Sequence, residues 1–146
     1  KYLGFSLTST RAQPRIKLHW KTLDRLKAKI RELTRRQRGR SLKAIIAELN
    51  EYLRGWWGYF SQMETPYQLA RLDGWIRRRL RSYVWKQWKN RRTRVGNLLK
   101  LGISKETAVK TGCSRKGAWR MSQVKWVMIA LPNHYFTSRG LVIPWT

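Results

Sequence analysis

Residues 41–60 read Ser41-Leu42-Lys43-Ala44-Ile45-Ile46-Ala47-Glu48-Leu49-Asn50-Glu51-Tyr52-Leu53-Arg54-Gly55-Trp56-Trp57-Gly58-Tyr59-Phe60. Leu42, Ile45, Ile46, Leu49, Leu53, Trp56 and Phe60 recur at intervals of three and four, and at about 100° per residue they share one narrow face. Ser41 places a hydroxyl ahead of the first turn, where it can satisfy a free backbone N–H. The stretch is predicted as an amphipathic helix, the strongest such signal in the chain. Gly55 and Gly58 fall on the side away from the apolar face. Each costs roughly 1 kcal/mol against Ala inside a helix, which leaves three readings: a closely packed neighbouring helix, a ligand backbone approaching there, or a helix that stops at Gly58.

Working outward, Leu23, Leu26, Ile30 and Leu33 repeat with the same period. Thr22 is read as the N-cap, Asp24 lies in the first turn where the helix dipole favours an acid, and the helix is expected to end near Gly39. Arg25, Lys29 and Arg36 then border the apolar stripe on one flank, with Lys27, Arg31 and Arg38 on the other. On the far side of the central stretch, Pro66 suits the start of a third helix running to about Asn90, with Leu69, Leu72, Ile76, Leu80 and Tyr83 buried. Arg71, Arg78 and Arg81 lie away from that core and Trp85 falls among them. An aromatic ring amid guanidinium groups suits single-stranded nucleic acid, ring to base and cation to phosphate; the alternative buries Trp85 under the C-terminal part of the chain.

Beyond Asn90, Arg91, Arg92 and Arg94 precede short helical pieces separated by Gly96, Gly102 and Gly112. Ser104 is read as a cap, and Arg115, Lys116 and Arg120 cluster around Trp119. Asn133 is expected to cap a last helix that stops at Gly140, followed by an extended tail over 141–145. Residues 1–20, with Gly4, Pro14 and a Ser/Thr-rich middle, suit a short strand or hairpin. The fold class is all-α: a bundle of three main helices over 21–95 and a smaller C-terminal helical lobe over 96–146, behind an extended segment at 1–20.

Lys plus Arg total 33 and Asp plus Glu total 7, a formal charge of +26 on 146 residues. A folded body with that charge repels itself unless a polyanion neutralises it. Nine tryptophans and 42% hydrophobic residues exclude a disordered basic tail. The longest apolar runs, such as Val127 to Leu131, are far too short to span a bilayer, so no membrane partner is expected and the chain reads as intracellular. Lys1 opens an apolar segment without Met, which suggests a piece of something longer.

Catalytic chemistry is missing from the residue inventory. Two-metal polymerase or nuclease sites need neighbouring carboxylates, and no two of the seven acids are adjacent. Glu48 and Glu51 are expected to pair with Lys43 or Arg54. Cys113 with His19 and His134 offers neither zinc spacing nor a convincing nucleophile and base. A His beside Trp20 is read as a packing or capping residue. The chain is expected to bind without reacting, with no catalytic or metal-ligating residue.

Tyr2-Leu3-Gly4-Phe5 resembles the segment that closes the palm of group II intron reverse transcriptases. Ile30-Arg31-Glu32-Leu33-Thr34-Arg35-Arg36, Leu49-Asn50, Leu53 to Phe60 and Leu72-Asp73-Gly74-Trp75-Ile76-Arg77-Arg78-Arg79-Leu80 resemble the maturase-specific, or thumb, domain that follows that palm. Residues 114–120 and 133–141 resemble a C-terminal helical region of some bacterial members. The resemblance implies a thumb-type bundle that grips RNA–DNA template–primer and holds structured intron RNA for splicing. Its implied partners also include the palm and fingers of the same polypeptide; its implied setting is the bacterial cytoplasm, in nucleoid-associated ribonucleoprotein. No cofactor belongs to this chain, and Mg2+ would sit in the absent palm. The implied RNA-binding residues are Arg25, Lys29, Arg35, Arg36, Arg38 and Arg40 around the first helix; Arg54, Trp57 and Tyr59 on the second; Arg77, Arg78, Arg79, Arg81 and Trp85 on the third; and Arg91, Arg92, Arg94, Arg115, Lys116 and Arg120 beyond. Two rivals remain open: a DNA-binding target-site reader, and a domain that docks on the palm through aromatics such as Trp57 and Trp145.

Overall fold

The computed structural model describes residues 5–7, 16–18, 20–61 and 67–146, with side chains over 20–61 and 69–146. The readings of Tyr2 to Gly4, Pro14, His19 and Pro66 lie outside the described residues. Phe5–Leu7 (β1) pairs antiparallel with Ile16–Leu18 (β2), Phe5 opposite Leu18. Every other regular element among the described residues is a helix, and the fold is all-α. Three long helices come first: α1 (Trp20–Leu33), α2 (Leu42–Phe60) and α3 (Tyr67–Gln87). Five shorter ones follow: α4 (Arg91–Lys100), α5 (Lys105–Gly112), α6 (Ala118–Met121), α7 (Lys125–Ala130) and α8 (Asn133–Thr137).

The predicted stripes are the core. Leu26 and Ile30 of α1, Ile45, Ile46, Leu49 and Leu53 of α2, and Leu69, Leu72, Ile76 and Leu80 of α3 are all buried. Each such side chain contributes about 1.5–3 kcal/mol when removed from water. The core continues without a break through Leu98, Ala108, Val127, Leu131 and Phe136 of the C-terminal helices. Ser41 caps α2, its Oγ accepting from the Ala44 N–H at 3.1 Å, and Asn90 caps α4, its Oδ1 accepting from the Thr93 N–H at 3.0 Å.

Several boundaries differ from expectation. Thr22 lies inside α1, two residues past its start, and is buried, so it is not the N-cap. That helix stops at Leu33, six residues before Gly39: the Thr34 N–H and hydroxyl both close on the Ile30 carbonyl (3.0 and 2.7 Å), and Arg38 takes the Leu33 carbonyl (3.0 Å). Gly39, at φ +68°, then turns the chain. Ser104 stands at the start of α5, but its hydroxyl donates to Thr107 Oγ1 (3.1 Å) and caps no N–H. Asn133 is the first residue of α8, behind Pro132, and its Oδ1 accepts from Arg81.

The tail over 141–145 is pinned to the bundle. Trp145 donates its indole N–H to the Leu69 carbonyl (2.8 Å) and to Asp73 Oδ1 (2.6 Å), and its ring packs on Trp56 and Trp57. Asn50 brackets the tail from α2, donating to the Gly140 carbonyl (2.6 Å) and accepting from the Val142 N–H (2.9 Å). Trp145 is therefore buried, which corrects its reading as exposed docking surface. Gly112 lets α5 approach α4: a Cβ there would meet Val95 Cγ2 at 2.6 Å. Gly55 and Gly58 have no such neighbour, and α2 runs on to Phe60, so neither helix packing among the described residues nor termination accounts for them.

Candidate nucleic-acid interface

Helix α3 carries cations on two flanks, and their surroundings differ. On the flank facing the C-terminal helices, guanidinium groups are fixed to backbone carbonyls. Arg78 donates to the Trp119 carbonyl (2.9 Å) and Ser122 Oγ (3.0 Å) while lying 3.6 Å from the Trp119 ring centroid. Arg81, only 7% exposed, donates to the Leu131 carbonyl (2.8 Å) and Asn133 Oδ1 (3.2 Å). Arg94, from α4, reaches the Trp85 carbonyl (3.2 Å) and covers the Trp85 ring. Burial lowers the guanidinium pKa of all three.

Trp85 itself is 0% exposed and leans on Trp88. Its indole N–H has no hydrogen-bond partner among the described residues. The expectation of a solvent-facing ring among arginines is corrected for both Trp85 and Arg81: α4 and the C-terminal helices close over that flank.

On the other flank, α3 meets α1 in a seam with two open grooves. The first, about 320 Å³, is lined by Lys27, Arg31, Arg71, Leu72 and Trp75. The second, about 390 Å³, is lined by Arg36, Gln37 and Gly39 of the α1–α2 turn, Tyr83, Lys86, Gln87 and Lys89 at the end of α3, and Arg94. The turn is held in place by Tyr83, whose hydroxyl accepts from the Arg40 N–H (2.9 Å) and donates to the Arg40 carbonyl, and by Gln87, which also donates to that carbonyl (2.7 Å).

Arg79 joins the grooves, donating to the Arg31 carbonyl (3.1 Å) and Thr34 Oγ1 (3.0 Å), while Arg36 donates to Ser82 Oγ (3.1 Å). Burial depresses the Arg79 pKa first, and the charges of Arg36 and Arg31 depress it further. Three guanidinium groups thus crowd the centre of the seam, and no carboxylate lines either groove among the described residues. Such a concentration of positive charge attracts phosphate.

The remaining predicted residues scatter. Lys29 pairs with Glu32 (3.3 Å), and Arg38 and Arg40 both reach Glu48 (3.1 and 2.8 Å), so Glu48 pairs with these two and not with Lys43 or Arg54. Arg25 and Arg35 are exposed near the seam's elements, and Arg77 is half-buried beside Asp73 and Arg81. Arg54 and Tyr59 are exposed on α2, whereas Trp57 packs against both Trp56 and Trp145. Arg91 and Arg92 open α4, and Arg115, Lys116 and Arg120 are exposed around α6. None of these lines either groove. Sequence reasoning passed over Trp75, Lys86 and Lys89 as site residues, and it counted Lys27, Arg31 and Arg71 among phosphate-contacting cations without bringing them to one groove. A signal existed: Arg71, Trp75 and Arg79 stand at intervals of four, one row on a helix.

Among the described residues no three His, Cys, Asp or Glu side chains gather as a metal site, and no helix is long and apolar enough to cross a membrane. The family model for the group II intron, maturase-specific domain matches residues 23–102, which takes in most of α1, all of α2, α3 and α4, and both grooves. No curated protein matches the chain.

Proposed function

The chain belongs to the group II intron maturase-specific domain family, and from that premise we propose that it grips structured RNA along the α1–α3 seam. Membership gives it a maturase-related role in group II intron splicing, as an accessory module. The finer reading is that the seam holds intron RNA, and RNA–DNA template–primer in a complete reverse transcriptase, through phosphate and 2′-hydroxyl contacts. Specificity then comes from shape more than from base edges. In this reading the chain supplies no catalytic group, and Mg2+ chemistry belongs to a palm carried elsewhere on the polypeptide.

The observation that carries the proposal is the cationic seam, in which Arg31, Arg36 and Arg79 are held together despite mutual repulsion and no carboxylate lines a groove among the described residues. A merely structural seam would gain stability from an interposed carboxylate. Equilibrium binding to a structured RNA, a hybrid duplex and duplex DNA across a salt series tests it. RNA or hybrid should bind more tightly than DNA. The Lys86→Gln/Lys89→Gln double variant should keep its Tm and flatten the slope of log K against log salt by about 0.7–0.9 for each phosphate that it no longer neutralises. Duplex DNA winning at equal salt would turn the reading to a DNA target-site module. An unchanged slope in the double variant would remove the second groove from the interface.

A further inference from the structure

We propose that the groove between α1 and the first half of α3 receives one unpaired RNA nucleotide, its base stacked on Trp75 and its flanking phosphates on Lys27, Arg31 and Arg71. This rests on the RNA-gripping reading above and gives the first groove a task distinct from the second. The two grooves have similar volumes but different walls. The second offers charge and amides around Tyr83, whose hydroxyl is already committed to Arg40. The first offers an aromatic face.

Trp75 is half-buried, packed on one side against the core formed by the long helices and facing the groove on the other. Guanidinium groups lie over its ring, Arg31 at 5.3 Å and Arg79 at 5.9 Å from the centroid, so a stacking base takes the place of the exposed Arg31, which also lines the groove. Arg79 is itself locked to the Arg31 carbonyl and Thr34, so the ring's surroundings are rigid before any ligand arrives. A rigid indole bordered by cations is the arrangement that binds an unstacked base, because every base presents a π-face and every nucleotide a phosphate. At about 320 Å³ the groove lies at the small end of ligand clefts, a volume that accommodates one nucleotide. Leu72 closes its floor with apolar surface that suits a base and does nothing for a phosphate. The recognised feature is therefore a bulged or looped-out position, with little preference for which base occupies it.

The test compares two RNA hairpins that differ by a single-nucleotide bulge carrying 2-aminopurine, each titrated with the full 146-residue chain. Wild type should bind the bulged hairpin more tightly and quench its 2-aminopurine fluorescence. Trp75→Leu should lose roughly 5- to 100-fold in affinity for the bulged RNA, the effect of removing one base–aromatic stack, with paired-hairpin affinity unchanged. Trp75→Phe should recover most of that loss. Since Trp75→Leu can unsettle the fold, Lys27→Gln/Arg71→Gln provides a second arm that keeps the ring: it should narrow the bulge preference while quenching persists. Equal wild-type affinity for the two hairpins with unquenched 2-aminopurine overturns the proposal and leaves the seam as a duplex grip. Absence of salt-dependent binding to either hairpin overturns the reading beneath it as well.

Discussion

Arg78 and Arg81 of α3, and Lys86 and Lys89 at its C-terminal end, are separated by only a few turns of chain, yet their charges have opposite fates. The first pair donates to the carbonyls of Trp119 and Leu131 and holds the C-terminal helices in place. The second pair lines an open groove whose described walls hold no carboxylate. A guanidinium presents several donors in a planar fork and satisfies stray carbonyls well, whereas an ammonium on a flexible stem stays hydrated. A large net charge therefore overstates the number of cations available to a ligand. Part of it serves as internal fastening.

Three changes would break or sharpen that division. Trp85→Ala should have the largest effect, about 3–5 kcal/mol of stability by urea denaturation, because it empties a fully buried site between α3 and α4. RNA affinity of the folded fraction should not change. A large affinity loss without destabilisation would return Trp85 to the interface. Arg81→Ala should cost about 2–4 kcal/mol, since it strips a buried carbonyl of its charged donor. Its salt slope for RNA should match wild type; a flatter slope would mean that the fastening flank also meets phosphate.

The smallest effect concerns Asp73, whose carboxyl burial pushes above its ordinary value of 3.8, partly offset by the Trp145 hydrogen bond and the Arg77 charge. A raised folded-state pKa means that the folded chain holds this proton more tightly than the unfolded one. Its contribution is fully present below 3.8 and is lost as pH rises through the raised value. Asp73→Asn keeps an acceptor for the Trp145 N–H and removes the titration. The Tm difference between variant and wild type should shift in the variant's favour as pH climbs through that window and then level off. A difference independent of pH would show that the carboxylate is as well solvated in the folded chain as in the unfolded one.

Much of the fold was legible because apolar spacing is a local signal. The stripes on 23–33, 42–60 and 69–83 mark the three long helices, and Ser41 is a true cap. What the spacing did not carry was which flank of α3 the C-terminal helices would cover. Trp75 and Trp85 each stand among arginines on the same helix, and ten residues of helical rotation put them on different flanks. Only the packing of α4 and the C-terminal helices decides that Trp85 is covered and Trp75 is left at a groove. The end of α1 escapes sequence reasoning for a similar reason: Arg38 takes the Leu33 carbonyl that a continuing helix would have used, and that competition leaves no periodicity to read. The seam, built from α1, the turn after it and α3, is a tertiary feature whose parts were visible separately.

Trp56, Trp57 and Trp145 lie with ring centroids 5.8, 6.1 and 6.5 Å apart. Indoles this close share their excited states, so their near-ultraviolet circular dichroism differs from that of three isolated tryptophans. The cluster forms only when the C-terminal tail lies against α2 and α3, and its optical signature reports that docking without a label.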